Sequence, residues 1–164
     1  AIDSVRKAVD LLEGELQNSP DSALARINMA KSRQLFGDVL RNAGRSDEAV
    51  ICLLRGIEVL QQPFSGSQYV DDLLHWLDEL QFGLAYAYRE LKNPDEALRV
   101  AATITPTLAA GYLRRGQLYE SLGNSISAIT DYQKALELDP SNTKAQEELA
   151  RIKSKQPDSQ KKVP

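Results

Sequence analysis

The chain offers few groups able to make or break bonds. It has one cysteine, Cys52, and one histidine, His75. A thiolate beside an imidazole would make an activated nucleophile, but Cys52 lies in the apolar run Ile51-Cys-Leu-Leu54. There it reads as a buried, inert thiol acting as a small hydrophobe. His75 adjoins Trp76 with no local set of carboxylate and nucleophile, so a packing or surface place is expected for it. Neither Gly-x-Gly-x-x-Gly nor a P-loop occurs, and no Cys-x-x-Cys or His-x-x-x-His spacing is present. The acidic pairs Asp71-Asp72 and Asp78-Glu79 read as charges near a helix start, where the helix dipole favours them. No catalysis, metal or cofactor is expected. The chemistry that the spacing does support is recognition. Phe82 and Tyr86 are four apart and share one face of a helix. With Arg41, Arg89 and Arg114 around them they would form an aromatic patch of the kind found at binding hot spots. The competing reading makes both rings part of the core.

These residues sit in a chain of 164 residues, 42% hydrophobic and 26% charged, with a net charge of −3. That length fits one domain at ~100–200 residues each. Ordinary composition argues against disorder, collagen or a disulfide-stapled fold. The longest apolar stretches, such as Val50–Leu54, fall far short of the ~20 residues that span a bilayer. No global basic field is available for nucleic acid. Charge is nevertheless uneven. Residues 1–140 carry 14 basic and 20 acidic side chains, and residues 141–164 carry 6 and 3. The basic end reads as a solvated linker. The chain starts at Ala1 without Met or a signal peptide, so we expect a fragment of a longer cytoplasmic protein.

Good helix formers dominate and β-branched residues rarely alternate. Val5, Val9, Leu12 and Leu16 step at helical spacing, with Asp3 or Ser4 as the cap and Asn18-Ser-Pro20 as the stop. Further helices are predicted from Ser22 to Asn42, ending at Gly44, and from near Ser46 to before Pro63. Residues 61–68 read as a loop. A long helix follows over 70–91. Pro94 opens a short one ending near Ile104, and Thr105-Pro106 opens another ending at Gly123. The next runs from Ser125 to Leu138. Ser141 caps a last helix, Thr143 to about Lys153. The polar tail 154–164 reads as disordered. The result is an all-α chain of eight helices in antiparallel hairpins.

The hairpins repeat. Tyr112, Gly116, Tyr119, Ala128, Tyr132, Ala135 and Pro140 fit a 34-residue pattern of aromatic, Gly, Tyr, Ala, aromatic, Ala and Pro. Residues 109–142 therefore closely resemble a tetratricopeptide repeat. Gly116 and Ala128 would let the paired helices approach closely, while Tyr112, Tyr119 and Tyr132 fill the space around them. Weaker copies run through Gly37, Leu40, Gly44, Ala49, Leu53 and Gly56, and through Ala85, Tyr88, Ala97, Ala101 and Ile104. Ala8, Leu12 and Pro20 suggest a half copy. The copies are unevenly spaced. From Gly37 to Ala85 is 48 residues and from Ala85 to Gly116 is 31. Arg115 stands where the pattern prefers Leu. The expected organisation is a half repeat at 3–20, repeats at 22–60, 78–106 and 107–140, an inserted loop and extended helix at 61–77, and a capping helix at 141–153. The start at Ala1 reads as a cut near a half repeat, with more of the array upstream.

The resemblance implies a right-handed superhelix with a concave groove lined by the first helix of each pair. It also implies a protein-interaction module that binds a partner peptide or helix. The repeat frame puts Lys31, Gln34, Asp38, Arg41 and Asn42 on that groove. From the next unit come Glu79, Phe82, Tyr86, Arg89 and Glu90, then Ala110, Leu113, Arg114, Gln117 and Glu120. The expected partner-binding set is Arg41, Phe82, Tyr86, Arg89, Leu113, Arg114 and Gln117. One group in the family, the chaperone adaptors, grips a C-terminal carboxylate with two Lys, two Asn and an Arg. Arg114 falls on that arginine. Ala110 replaces a lysine, Gln34 and Asp38 replace the other lysine and an asparagine, and Gly83 replaces the second asparagine. A degenerate clamp is thus the alternative reading. A third uses Leu73, Leu74, Trp76, Leu77 and Leu80, which make the inserted helix apolar around much of its girth. They would either pack inside the domain or dock a neighbour, with a monomer expected and a dimer through this helix as the alternative.

Overall fold

The structure is a computed structural model that describes residues 2–63 and 68–155. Among them are eight helices and no strand: α1 Ile2–Asn18, α2 Ala23–Asn42, α3 Ser46–Gln61, α4 Val70–Glu90, α5 Pro94–Ala101, α6 Ala109–Ser121, α7 Ser125–Leu138 and α8 Thr143–Ser154. Most of the expected loop after Gln61, and the tail from residue 156, lie outside the described residues.

Local chemistry sets the boundaries. Ser22, Asn93 and Asn124 each accept a backbone N–H three residues on, satisfying a donor that a helix start leaves orphaned. The last helix departs from expectation. Its cap is Asn142, which accepts from Ala145 N, while Ser141 bonds the Asp139 carboxylate instead. The helix expected to open at Pro106 begins at Ala109. Pro106 is buried and packs against Gly111, where an added Cβ would come within 2.8 Å of the proline ring. Three helix ends share one closure. Arg45 N bonds Leu40 O, Asn93 N bonds Tyr88 O, and Asn124 N bonds Tyr119 O. Each bond spans a left-handed residue, Gly44, Lys92 or Gly123. This is the Schellman turn repeated three times.

The helices form two compact units, residues 1–104 and 105–164. In the first, which holds α1–α5, Met29, Leu40, Leu53 and Leu80 are fully buried. Gly37 makes the α2–α3 approach possible, because a Cβ there would lie 2.8 Å from the Leu53 side chain. The extra turns of α4 partly join this core. Trp76 packs on it and Leu80 is buried, while Leu74 is 51% exposed. Cys52 is buried, and burial pushes its thiol pKa up. His75 is exposed, with its ring edge-on to Trp76.

In the second unit α6 and α7 make the tightest hairpin. A Cβ on Gly116 would sit 2.6 Å from the Tyr132 ring, which is fully buried. Arg115, the departure from the repeat pattern, has a buried partner. It donates through Nε and Nη2 to Asp131, both at 2.7 Å, and lies over the Tyr112 and Tyr119 rings. Burying a charge demands such pairing. The Tyr132 hydroxyl donates to Glu120, which also accepts from Arg151 of α8.

Candidate partner-binding groove

In the first unit α2 and α4 run side by side in parallel. Lys31 meets Trp76, Gln34 meets Gly83, and Arg41 meets Tyr86 and Glu90. Four of the expected site residues gather at the C-terminal end of this pair. The Arg41 guanidinium carbon lies 5.2 Å from the Tyr86 ring centre and that of Arg89 lies 5.0 Å from it. Phe82 stacks on Tyr86 at 6.4 Å and 23°. The expectation of an exposed Phe82–Tyr86 patch needs correction at Phe82. That ring is 2% exposed and belongs to the interior, so Tyr86 alone presents its aromatic edge. Four residues apart is 40° of helix rotation, enough to bury one ring and leave the next half-buried.

Arg41 is anchored on both sides. Its Nη1 donates to Asp38 at 3.0 Å, and its Nη2 and Nε donate to Glu90 at 2.7 and 3.2 Å. The Ser46 hydroxyl donates to the same Glu90 carboxylate at 2.7 Å. Partial burial pushes the Glu90 pKa up, but the bonds from Arg41 and Ser46 outweigh it and hold the carboxyl below its usual value. Gln34 is buried, gives its amide to Asp38 and keeps its carbonyl oxygen against Gly83 without a hydrogen-bond partner. A Cβ on Gly83 would come within 2.9 Å of that oxygen. An asparagine at 83 would therefore have to move Gln34 first. The frame residue Asp38 had an i, i+3 partner legible in Arg41. Glu90, 49 residues away, had no such signal.

The remaining site residues lie on α6 in the second unit. Leu113 and Arg114 are half-buried there, and Gln117 is exposed with its amide 3.5 Å from Glu148 of α8. Glu120 and Glu148 are both bridged by Arg151. Those bonds hold both carboxyls below their usual pKa. Among the described residues no group of three His, Cys, Asp or Glu could hold a metal, and no helix is long and apolar enough to cross a membrane.

Comparison with known proteins extends this picture. Residues 109–142, the α6–α7 hairpin with its flanks, match the tetratricopeptide repeat. Over 139 residues the chain is 31% identical to human FK506-binding protein-like, covering 84% of this chain and 37% of that protein. Over 126 residues it is 29% identical to RNA polymerase II-associated protein 3 of Xenopus laevis, covering 75% and 17%. The chain thus spans well under half the length of these curated relatives. Among solved structures it resembles the first TPR domain of human RPAP3, at 26% identity and a TM-score of 0.56 over 78% of this chain and 92% of that one. The first TPR of Spaghetti (RPAP3), solved bound to the HSP90 peptide SRMEEVD, is 26% identical with a TM-score of 0.51, over 76% and 90%. The second human RPAP3 TPR domain, solved with the HSP70 peptide SGPTIEEVD, is 25% identical with a TM-score of 0.53, over 76% and 94%. The match at 109–142 falls on a hairpin whose turn recurs twice upstream, and the chain is a tetratricopeptide-repeat protein.

Proposed function

We propose that the groove between α2 and α4 binds an extended segment of a partner protein, anchored on Tyr86 and the guanidinium groups of Arg41 and Arg89. Leu113, Arg114 and Gln117 offer a separate contact surface on the second unit, and buried Phe82 supports the Tyr86 ring. The observation that carries the reading is the occupied state of Arg41. Asp38 and Glu90 already satisfy it, so it presents a fixed, neutralised plane beside an aromatic ring and not a free receptor for a carboxylate. A half-buried tyrosine with arginine neighbours has the composition of a binding hot spot.

The second reading is a chaperone tail held by its terminal carboxylate. It is favoured by the two similar TPR domains solved with HSP90 and HSP70 peptides, and by Arg114. Against it stand Asp38, Gly83 and Ala110 at three of the clamp positions. One experiment separates the two. Peptides selected from a displayed library on this chain are re-measured by calorimetry, alongside SRMEEVD with a free and an amidated C-terminus. We expect Tyr86→Ala to weaken the selected peptides about thirtyfold, ~2 kcal/mol, and amidation to change little. Binding that requires the free carboxylate and ignores Tyr86→Ala would replace the first reading with the second.

A further inference from the structure

Ser46 opens α3, yet its hydroxyl serves another helix. A serine at a helix start ordinarily accepts a backbone N–H of its own first turn. Here Arg45 stands at the cap position without a side-chain cap bond, and the Ser46 hydroxyl donates across to the Glu90 carboxylate, the last residue of α4, at 2.7 Å. The repeat register shows that this is particular to one junction. With Ala49, Ala97 and Ala128 aligned, Arg45 corresponds to Asn93 and Asn124, and both asparagines cap their helices. Ser46 corresponds to Pro94, which has no hydroxyl, and to Ser125. Ser46 is 7% exposed, too enclosed to meet a partner itself. Any effect it has on recognition passes through Glu90.

Three helices meet at Glu90. Its Oε2 accepts from Ser46 of α3, and its Oε1 accepts from Arg41 of α2, from Nη2 at 2.7 Å and from Nε at 3.2 Å. The carboxylate also lies at the start of α3, where the helix dipole favours a negative charge. Tyr86 is one turn back on α4. The Arg41 guanidinium reaches the Tyr86 ring, at 5.2 Å, because Glu90 draws it across from α2. Asp38, on Arg41's own helix, takes Nη1 at 3.0 Å and anchors the group without aiming it at α4. The last torsion of a glutamate is broad, so the ion pair alone leaves the carboxylate plane free to turn. The Ser46 hydroxyl holds Oε2 and turns Oε1 to Arg41.

We propose that Ser46 is a positioning residue for the groove: through Glu90 it sets the Arg41 guanidinium against Tyr86. The start of α3 thereby governs affinity at a surface it does not touch. The proposal rests on the Tyr86 groove reading above.

Ser46→Ala, Arg41→Ala, their combination and Tyr86→Ala are compared in the whole chain, with circular dichroism verifying each fold. The probe is the tightest peptide selected on the parent chain from the displayed library, measured by calorimetry. We expect Ser46→Ala to weaken it about fivefold, the size of one hydrogen bond. In the Arg41→Ala background the same change should cost nothing more, because the relay then has no guanidinium to aim. A serine that acted on the groove by another route would add its loss to that of Arg41→Ala. The Arg41 Nε–H signal in a proton–nitrogen spectrum gives a readout without peptide, and it should shift in both Ser46→Ala and Tyr86→Ala. The proposal is overturned if Ser46→Ala leaves the affinity or the Arg41 signal unchanged, or if its loss persists in full alongside Arg41→Ala. Those results leave the groove reading standing, provided that Tyr86→Ala still weakens the peptide. Indifference to Tyr86→Ala removes the groove reading, and the proposal with it.

Discussion

Arg115 is the chain's clearest departure from its repeat pattern, and its removal tests whether that departure is structural. The Asp131 side chain is 4% exposed and that of Arg115 is 18% exposed, joined by two bonds of 2.7 Å. Removing one member of a buried pair costs about 3–5 kcal/mol, because the other charge remains without compensation. Asp131→Asn leaves Arg115 between two tyrosine rings with a fifth of its surface wet, so its cost falls near the lower end, about 3 kcal/mol. Arg115→Leu leaves Asp131 enclosed and costs about 4–5 kcal/mol, a large share of the ~5–15 kcal/mol that holds a domain together. Arg115→Leu combined with Asp131→Ala removes both charges. It restores the residue type that the repeat prefers and should return to within about 1 kcal/mol of the parent, since apolar replacement of such pairs is often neutral. Urea unfolding followed by far-ultraviolet circular dichroism measures all three. Trp76, the one tryptophan, reports on the first unit separately. The reasoning fails if Asp131→Asn costs less than about 1 kcal/mol, or if the double variant costs the sum of the two single changes.

Three further outcomes follow from the geometry. Gly116→Ala should destabilise the chain by about 1–3 kcal/mol, because the new methyl meets a buried Tyr132 ring held at its hydroxyl by Glu120. Gly14→Ala in α1, with nothing within 4 Å, should instead stabilise by about 0.5–1 kcal/mol. Equal effects on the thermal midpoint would contradict the close approach of α6 and α7. Acid should weaken the α6–α8 link. Arg151 holds Glu120 and Glu148 below their unfolded pKa, so their contribution is complete above the ordinary carboxylate range and disappears as pH falls through the lowered values. The midpoint difference between the parent and Arg151→Ala should therefore shrink on acidification. A difference that is constant with pH would rule out these pairs as its source.

Much of the fold was legible because its constraints are local. Small residues at Gly37, Gly116 and Ala128, Pro94 at the start of α5, and Gly44 and Gly123 at helix ends each impose a backbone requirement that composition cannot hide. What escaped was decided by competition or by distance. Ser141 and Asn142 are both good caps, and Asp139 captured the serine hydroxyl first. Lys92 takes the left-handed turn that Gly44 and Gly123 take, with φ of 59°, though nothing in its chemistry announces it. The Arg115–Asp131 pair and the Arg41–Glu90 pair join residues 16 and 49 apart, visible only once the helices are packed. In the candidate site, periodicity placed Phe82 and Tyr86 on one face but could not say that the interior ends between them.

The long second repeat has a consequence for recognition. Its extra turns bring Trp76 opposite Lys31, as Tyr86 stands opposite Arg41. Both pairs are offset by 45 residues, and they are ten residues apart on each helix, about 15 Å at 1.5 Å per residue. The proposed groove would therefore be bracketed by two cation–aromatic contacts, with Gln34, Asp38 and Gly83 between them. An extended peptide rises about 3.3 Å per residue, so four to five residues fit between the brackets. The Gln34 side chain lies on Gly83, and Asp38 is already bonded to Gln34 and Arg41. On the proposed reading, a short segment with an apolar or aromatic residue at each end would satisfy both brackets. An acidic terminus would have to bring its charge beside Asp38. On the proposed reading, the first turns of α4 thus supply the contact that closes the far end of the groove.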